Sequence, residues 1–233
     1  HQSIGTPLIG MSKPGLASFE PAFTDELSAI MSFAFSYLQH EKTEGEDTAI
    51  EADLLGDRCG GSVYLRLTTR RIEQFEREID DTLMSEIIDG GYWLVPPQSS
   101  CSVVIAYIGA VAPQVIESCD ELNRGSPGST AVLAITSADR LHRGWMEAQR
   151  IRYSGLERCS AQVEKLLGVI DSNARIVTVT DGHPSVLTWL GAVAGHRVCG
   201  LGVDRFGESG TLTELYQAYQ LDAQSILSAC RSS

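Results

Sequence analysis

The chain has 233 residues, 43% of them apolar and 21% charged, enough apolar material to fill one large or two modest cores. Its formal net charge is −12 and its pI is near 4.8, with no cluster of Lys or Arg, which argues against a phosphate-backbone partner and hence against nucleic acid. No apolar run approaches the ~20 residues that cross a bilayer, and the first residues lack the basic-then-apolar pattern of an export signal, so neither a membrane nor secretion is expected.

Residues 1–16 carry three Gly and two Pro with little periodicity and read as loop. A helix is expected to follow with Pro21 at its first position, where the missing N–H has no intrahelical partner to lose. Leu27, Ile30, Met31, Ala34 and Leu38 make an apolar stripe at helical spacing that ends near His40. The acidic stretch 41–61 reads as an exposed loop, and 62–67 as a strand from its alternation and β-forming residues. Residues 70–88 show no clean periodicity, and Gly90-Gly91 and Pro96-Pro97 punctuate the short run Tyr92-Trp93-Leu94-Val95. A domain boundary is expected at about residue 97.

Beyond it, apolar strand runs alternate with helical patterns. Strands are expected at 103–108, 130–136, 175–180 and 197–203, and helices at 113–122, 138–149, 156–170 and 184–193. The strand runs are continuous rather than alternating, so both of their faces are covered, which predicts a mostly parallel sheet between helix layers. Thr211-Leu212-Thr213-Glu214 fits a capping box ahead of Leu215, Tyr216 and Tyr219, and Asp222 caps a last helix that turns Ile226 and Leu227 inward. In the turn Phe206-Gly207-Glu208-Ser209-Gly210, the glycines supply permissive dihedrals and Phe206 is expected to anchor the turn on the core.

Few motifs carry chemistry by themselves. Gly200-Leu201-Gly202 fails as a dinucleotide fingerprint, because Arg205 stands where a third glycine is needed and no helix opens at once. Cys59, Cys101, Cys119, Cys159, Cys199 and Cys230 are too widely spaced for a CxxC pair and read as packed thiols in a reducing, cytoplasmic setting. Asp181 and His183 fall in a turn at the C-terminal end of an expected parallel strand, where open α/β sheets place ligand groups, and Pro184 opens a helix behind them, giving a possible ligand or anion turn. The plainer reading is that both side chains satisfy turn and cap hydrogen bonds. His40 and His196 read as helix-end and loop-to-strand residues, and His142 as a solvated residue on a charged helix face.

The order of these signals resembles the transketolase superfamily of thiamine-diphosphate enzymes, nearest to the C-terminal part of the homodimeric type of pyruvate (2-oxo-acid) dehydrogenase first component. His1-Gln2-Ser3-Ile4-Gly5-Thr6-Pro7 followed by Leu16-Ala17-Ser18-Phe19-Glu20-Pro21-Ala22 resembles a loop, strand and helix of that family's pyrimidine-binding domain. Ser102-Val103-Val104-Ile105-Ala106-Tyr107-Ile108-Gly109 resembles the opening of its C-terminal domain, as do Leu141-His142-Arg143-Gly144, Phe206-Gly207-Glu208-Ser209-Gly210 and Leu221-Asp222-Ala223 its later parts. The resemblance implies the trailing part of a pyrimidine-binding domain with a connector over residues 1–97. It implies a transketolase-like α/β C-terminal domain, a mostly parallel sheet with helices on both faces, over 98–233.

It further implies that His1 approaches substrate in the intact parent, where an imidazole relays protons to a carbonyl oxyanion. A frayed terminal residue is the alternative for His1. The parent would use thiamine diphosphate and Mg²⁺ to decarboxylate a 2-oxo acid and pass the acyl group to a lipoyl acyltransferase component, working as a homodimer. The nearest alternatives are a transketolase-like two-carbon transfer and a non-catalytic interaction module of the same fold. No Gly-Asp-Gly precedes either of the two asparagines, Asn123 and Asn173, so the oxygen set that holds Mg²⁺ in that family is not expected on this chain. By that reading, the chain depends on the remainder of its parent for catalysis.

Overall fold

The computed structural model describes residues 4–13, 15–39, 61–155 and 159–232. Its first part holds α1 (Thr6–Ser12), β1 (Leu16–Phe19), α2 (Thr24–Gln39) and β2 (Ser62–Leu65), with β1 and β2 pairing in parallel. A linking part holds α3 (Asp81–Asp89) and β3 (Gly91–Val95). There follow β4 (Val103–Ile108), α4 (Ala112–Gly125), β5 (Thr130–Ile135), α5 (Ala138–Tyr153), α6 (Gln162–Leu167) and β6 (Arg175–Thr180). The chain ends with α7 (Ser185–Thr188), α8 (Leu190–Ala194), β7 (Val198–Leu201), α9 (Leu212–Ala218) and α10 (Ala223–Arg231).

The main sheet runs β3-β5-β4-β6-β7, parallel except for β3, which pairs antiparallel with β5. Every residue of β4 and β5 is buried, as the unbroken apolar runs require. Alternate residues serve two cores. Val103, Ile105 and Tyr107 join Val115, Cys119 and Ile226 of α4 and α10 on one face. Val104, Ala106 and Ile108 meet Leu141, Leu166 and Val186 of α5, α6 and α7 on the other. The sheet is thus a mixed, mostly parallel layer between helices, as its sequence pattern predicts.

Several expectations are corrected. Residues 6–12 form α1, not loop, with Pro7 at the helix start. Leu16–Phe19 is a strand and the next helix opens at Thr24, so Pro21 precedes that helix. The inward face of α2 is Glu26, Ala29, Ile30, Ala34 and Tyr37, while Leu38 is 49% exposed, a rotation of the expected stripe. The unpatterned stretch before residue 89 contains α3, capped by Asp80 accepting from the Leu83 N–H at 2.8 Å and closed by Gly90 in the left-handed region. The helix expected over 156–170 is confined to Gln162–Leu167 in the described residues, and the one over 184–193 breaks into α7 and α8. β3, from before residue 97, belongs to the main sheet.

The C-terminal capping holds as expected. Thr211 Oγ1 accepts from the Glu214 N–H at 3.3 Å and Glu214 Oε2 accepts from the Thr211 N–H at 2.9 Å. Asp222 Oδ1 accepts from the N–H groups of Gln224 and Ser225, each at 3.1 Å.

Phe206 does not anchor its turn, because its side chain is 79% exposed. The turn is held instead by its main chain: the Tyr219 hydroxyl donates to the Phe206 carbonyl at 3.0 Å, and on the approach to it the Val203 N–H donates to the Gly182 carbonyl at 2.8 Å. Phe206→Ala is therefore expected to shift the urea-denaturation free energy by no more than about 0.5 kcal/mol. A loss of several kcal/mol would mean that the ring is buried after all.

Candidate functional site

In an open α/β sheet, the crevice for ligands lies outside the carboxyl ends of the strands where their order reverses. Here the chain leaves β4 toward β5 on one side and later returns to β6 on the other, so the reversal lies between β4 and β6. β4 ends at Ile108 and β6 at Thr180, which pair directly. Gly109 and Asp181 follow them. Gly109 has φ of +69° and lies beside Glu20, whose Oε2 would be 3.6 Å from an added Cβ. Its left-handed backbone lets the chain turn sharply from β4 toward α4.

The first part of the chain reaches this crevice. Glu20, just after β1, donates its N–H to the Thr136 carbonyl at 2.8 Å beyond the end of β5. Neighbouring bonds fasten β1 to the start of α5: Ser137 Oγ donates to the Ser18 carbonyl at 2.6 Å, the Ser18 N–H donates to Asp139 Oδ2 at 3.2 Å, and Arg143 Nη2 donates to the Leu16 carbonyl at 2.9 Å. Arg66, just after β2, donates its N–H to the Phe19 carbonyl at 2.9 Å, and its Nη1 donates to both Glu20 Oε2 at 2.7 Å and Asp181 Oδ1 at 2.5 Å. One guanidinium thereby joins β1, β2 and β6.

Burial sets the electrostatics. Glu20 is 3% exposed; removal from water pushes its carboxyl up, opposed by the charge and hydrogen bond of Arg66. Burial by itself would lower the Arg66 pKa, but Asp181 and Glu20 outweigh it and hold the guanidinium above its ordinary range. A second arginine packs alongside: Arg70 Nη1 donates to the Ala110 carbonyl at 3.2 Å and Gln114 Oε1 at 3.1 Å, and its guanidinium lies 5.4 Å from the Tyr216 ring centroid. Burial first, and Asp181 second, raise the Tyr216 phenol.

A cleft of about 350 Å³ opens here, with Tyr64, Arg66, Asp181, Glu208, Tyr216 and Tyr219 among its walls. Asp181 therefore lies in a cleft at the strand ends. His183 does different work. Its Nδ1 accepts from the Ser185 N–H at 3.2 Å, and its own N–H donates to the Ile4 carbonyl at 3.0 Å. The first is a local cap bond and the second ties the turn to the start of the chain, and α7 behind it is only four residues long. Asp181 is engaged by a cation instead. His1 and His40 lie outside the described residues.

His142 is not simply solvated. It is half-buried edge-on to Trp189 at 4.9 Å, and burial lowers its pKa. His196 is buried with Nδ1 2.9 Å from the Ala174 carbonyl. Sequence reasoning missed Glu20, Arg66 and Arg70. Glu20 and Arg66 each directly follow a short strand and Arg70 lies five residues past β2, and nothing local marks any of them as a partner of residues more than a hundred positions away.

No family model matches the chain, and no curated protein matches it. Solved transketolase structures do match. The chain is similar to transketolase from Leishmania mexicana at 13% identity, over 97% of this chain and 26% of that one, with a TM-score of 0.64. It is similar to transketolase from Campylobacter jejuni subsp. jejuni NCTC 11168 at 15% identity, over 97% and 27%, with a TM-score of 0.63. A split-gene transketolase, described as an inactive β4 tetramer, matches at 15% identity over 98% of this chain and 61% of that one, with a TM-score of 0.57. The chain therefore has a transketolase-like fold, with the mixed, mostly parallel sheet of the C-terminal domain. It spans about a quarter of the length of the full transketolases it matches. Among the described residues, no helix is long and apolar enough to cross a membrane.

Proposed function

We propose that the chain is the C-terminal portion of a thiamine-diphosphate-dependent 2-oxo-acid dehydrogenase of the pyruvate dehydrogenase type, cytoplasmic, building structure and a homodimer rather than catalysing alone. The observation that carries this is collinear likeness: up to 99% of the chain follows 27% of a transketolase chain, and the order of signals from Arg175 to Ala229 is what leans toward the dehydrogenase. In this proposal residues 1–97 are the trailing part of a pyrimidine-binding domain with its connector, and 98–233 the C-terminal domain. The pair β1 and β2 supports it, since two strands are too few to make a domain's sheet alone.

The cofactor supplies the carbanion chemistry when bound to the parent. The described residues do not fit it: they bring no three His, Cys, Asp or Glu side chains together as a metal site, and Glu20 and Asp181 are held by Arg66. Mg²⁺ requires near-octahedral oxygen ligands. No step is assigned to this chain through the cofactor.

Calorimetric titration of the chain with thiamine diphosphate and Mg²⁺ is expected to show no micromolar binding, and micromolar binding would overturn the reading. In the intact parent, His1→Ala is expected to reduce turnover by about 10²-fold or more. The transketolase neighbours favour a second reading, two-carbon transfer between sugars. Assaying the parent with a 2-oxo acid and a lipoyl acceptor, against a ketose phosphate donor and an aldose phosphate acceptor, separates the two.

A further inference from the structure

We propose that Cys199 and Cys230 form a redox pair, closed to a disulfide by a small-molecule disulfide such as glutathione disulfide and reopened by thiols. Cys199 departs from the packed thiols expected of this chain, since it is the exposed one among the described cysteines. Cys230 is 2% exposed. An accessible thiol with a second cysteine behind it is the arrangement of an attacking and a resolving cysteine.

The sheet register puts the two side chains on one face. Cys199 stands opposite Val177 of β6, and residues paired across neighbouring strands point to the same side of a sheet. Val177 belongs to the core that Cys230 enters from α10, together with Ile105 and Ile226. α10 buries Ala223, Ile226, Leu227 and Cys230, a stripe at helical spacing that places Cys230 in the last turn on the sheet side. That turn is fastened near the start of β6, where Arg175 Nη1 donates to the Ser232 carbonyl at 2.7 Å. β7 is the edge of the main sheet, so no further strand covers Cys199 on its outer side.

The electrostatics divide the two roles. Burial pushes the Cys230 thiol up to about 12, the Arg175 charge opposes this, and the charges of Cys199 and Cys119 add to it, with Arg231 opposing. Cys230 is therefore a poor first nucleophile, but it lies within the field of Cys199 and has a guanidinium beside it to receive the thiolate as it forms.

The exchange then runs in two steps. The Cys199 thiolate attacks one sulfur of glutathione disulfide, the S–S bond breaks, and one glutathione leaves as its thiolate. Cys230 gives its proton to solvent and attacks the Cys199 sulfur, and the second glutathione leaves. Two protein thiols are oxidised and one glutathione disulfide is reduced to two glutathiones. Closure ties the edge strand β7 to the last turn of α10, and in a reducing compartment such a bond is a transient redox mark rather than a structural staple.

The test incubates the full chain, under native conditions, in glutathione buffers from reducing to oxidising, followed by mass spectrometry of tryptic peptides without reduction. The expected product is a disulfide joining the peptide 198–205 to the peptide 206–231, undone by dithiothreitol and formed faster as pH rises toward the Cys230 range. Cys199→Ser is expected to abolish it. Cys230→Ala is expected to stop the reaction at glutathione on Cys199, with circular dichroism checking that the fold is retained; if that variant does not fold, the wild-type peptide map and Cys199→Ser still decide. A folded wild-type chain that holds glutathione on Cys199 without closing would overturn the pair. So would closure of Cys199 on another cysteine, or on Cys199 of a second copy. None of these results bears on the thiamine-diphosphate titration.

Discussion

Arg66→Met is expected to destabilise the chain by about 3–5 kcal/mol at neutral pH, because it strands a buried carboxylate. Glu20 is 3% exposed and its Oε2 is 2.7 Å from the Arg66 Nη1 that the substitution removes. Asp181 loses the same partner, but it is partly exposed and water replaces the bond. The pH dependence identifies the culprit. Glu20 has a folded pKa raised above its unfolded one by burial, and loss of Arg66 raises it further. Such a group contributes stability that is fully present below the unfolded pKa and is lost as pH rises through the folded pKa. The gap between variant and wild type is therefore widest at neutral pH and narrows as pH falls through the raised Glu20 range. Urea denaturation at several pH values measures this. Adding Glu20→Gln to Arg66→Met should recover part of the loss, and a double variant no more stable than the single one would clear Glu20 of the cost.

Glu26→Ala is the second large effect, expected at about 2–5 kcal/mol from the loss of a buried charged acceptor. The Glu26 side chain is fully enclosed, and burial raises its pKa. Its Oε2 accepts from the Ala22 and Phe23 N–H groups at 2.7 and 2.9 Å, and its Oε1 accepts from the Tyr92 hydroxyl at 2.6 Å. Tyr92 in turn accepts from Arg77 Nη1 at 2.8 Å, while Arg77 Nε donates to Asp25 at 2.5 Å. Truncation orphans two backbone donors ahead of α2 and a phenol on β3 at once. Glu26→Gln keeps one acceptor oxygen and should cost less. Denaturation of both variants gives the order, and a Glu26→Ala variant within about 0.5 kcal/mol of wild type would show that water satisfies these groups.

The elements legible in the sequence are those whose signal is local. The run at 103–108 gives β4 and that at 175–180 gives β6 with the same bounds, because a strand covered on both faces reads as a near-continuous run of apolar and β-branched residues rather than an alternation. Thr211 and Asp222 mark their helices because a cap lies within three residues of the donors it satisfies. The parallel sheet followed from these runs, and the resemblance to transketolases followed from their order.

What the tertiary structure decided is non-local. Leu16–Phe19 is a strand because β2 pairs with it from more than forty residues away, and four residues carry too little pattern to announce that. α1 has no side-chain cap at Gly5 and packs against α5 and α7, so its helicity comes from contacts that its own residues do not advertise. Phe206 looked like an anchor by its size, but burial belongs to the place a turn occupies, and this turn faces outward. The Arg66 bridge spans 46 residues to Glu20 and 115 to Asp181. Sequence patterns record which face of an element is buried. Which distant charges meet on that face is set only when the strands find their order in the sheet.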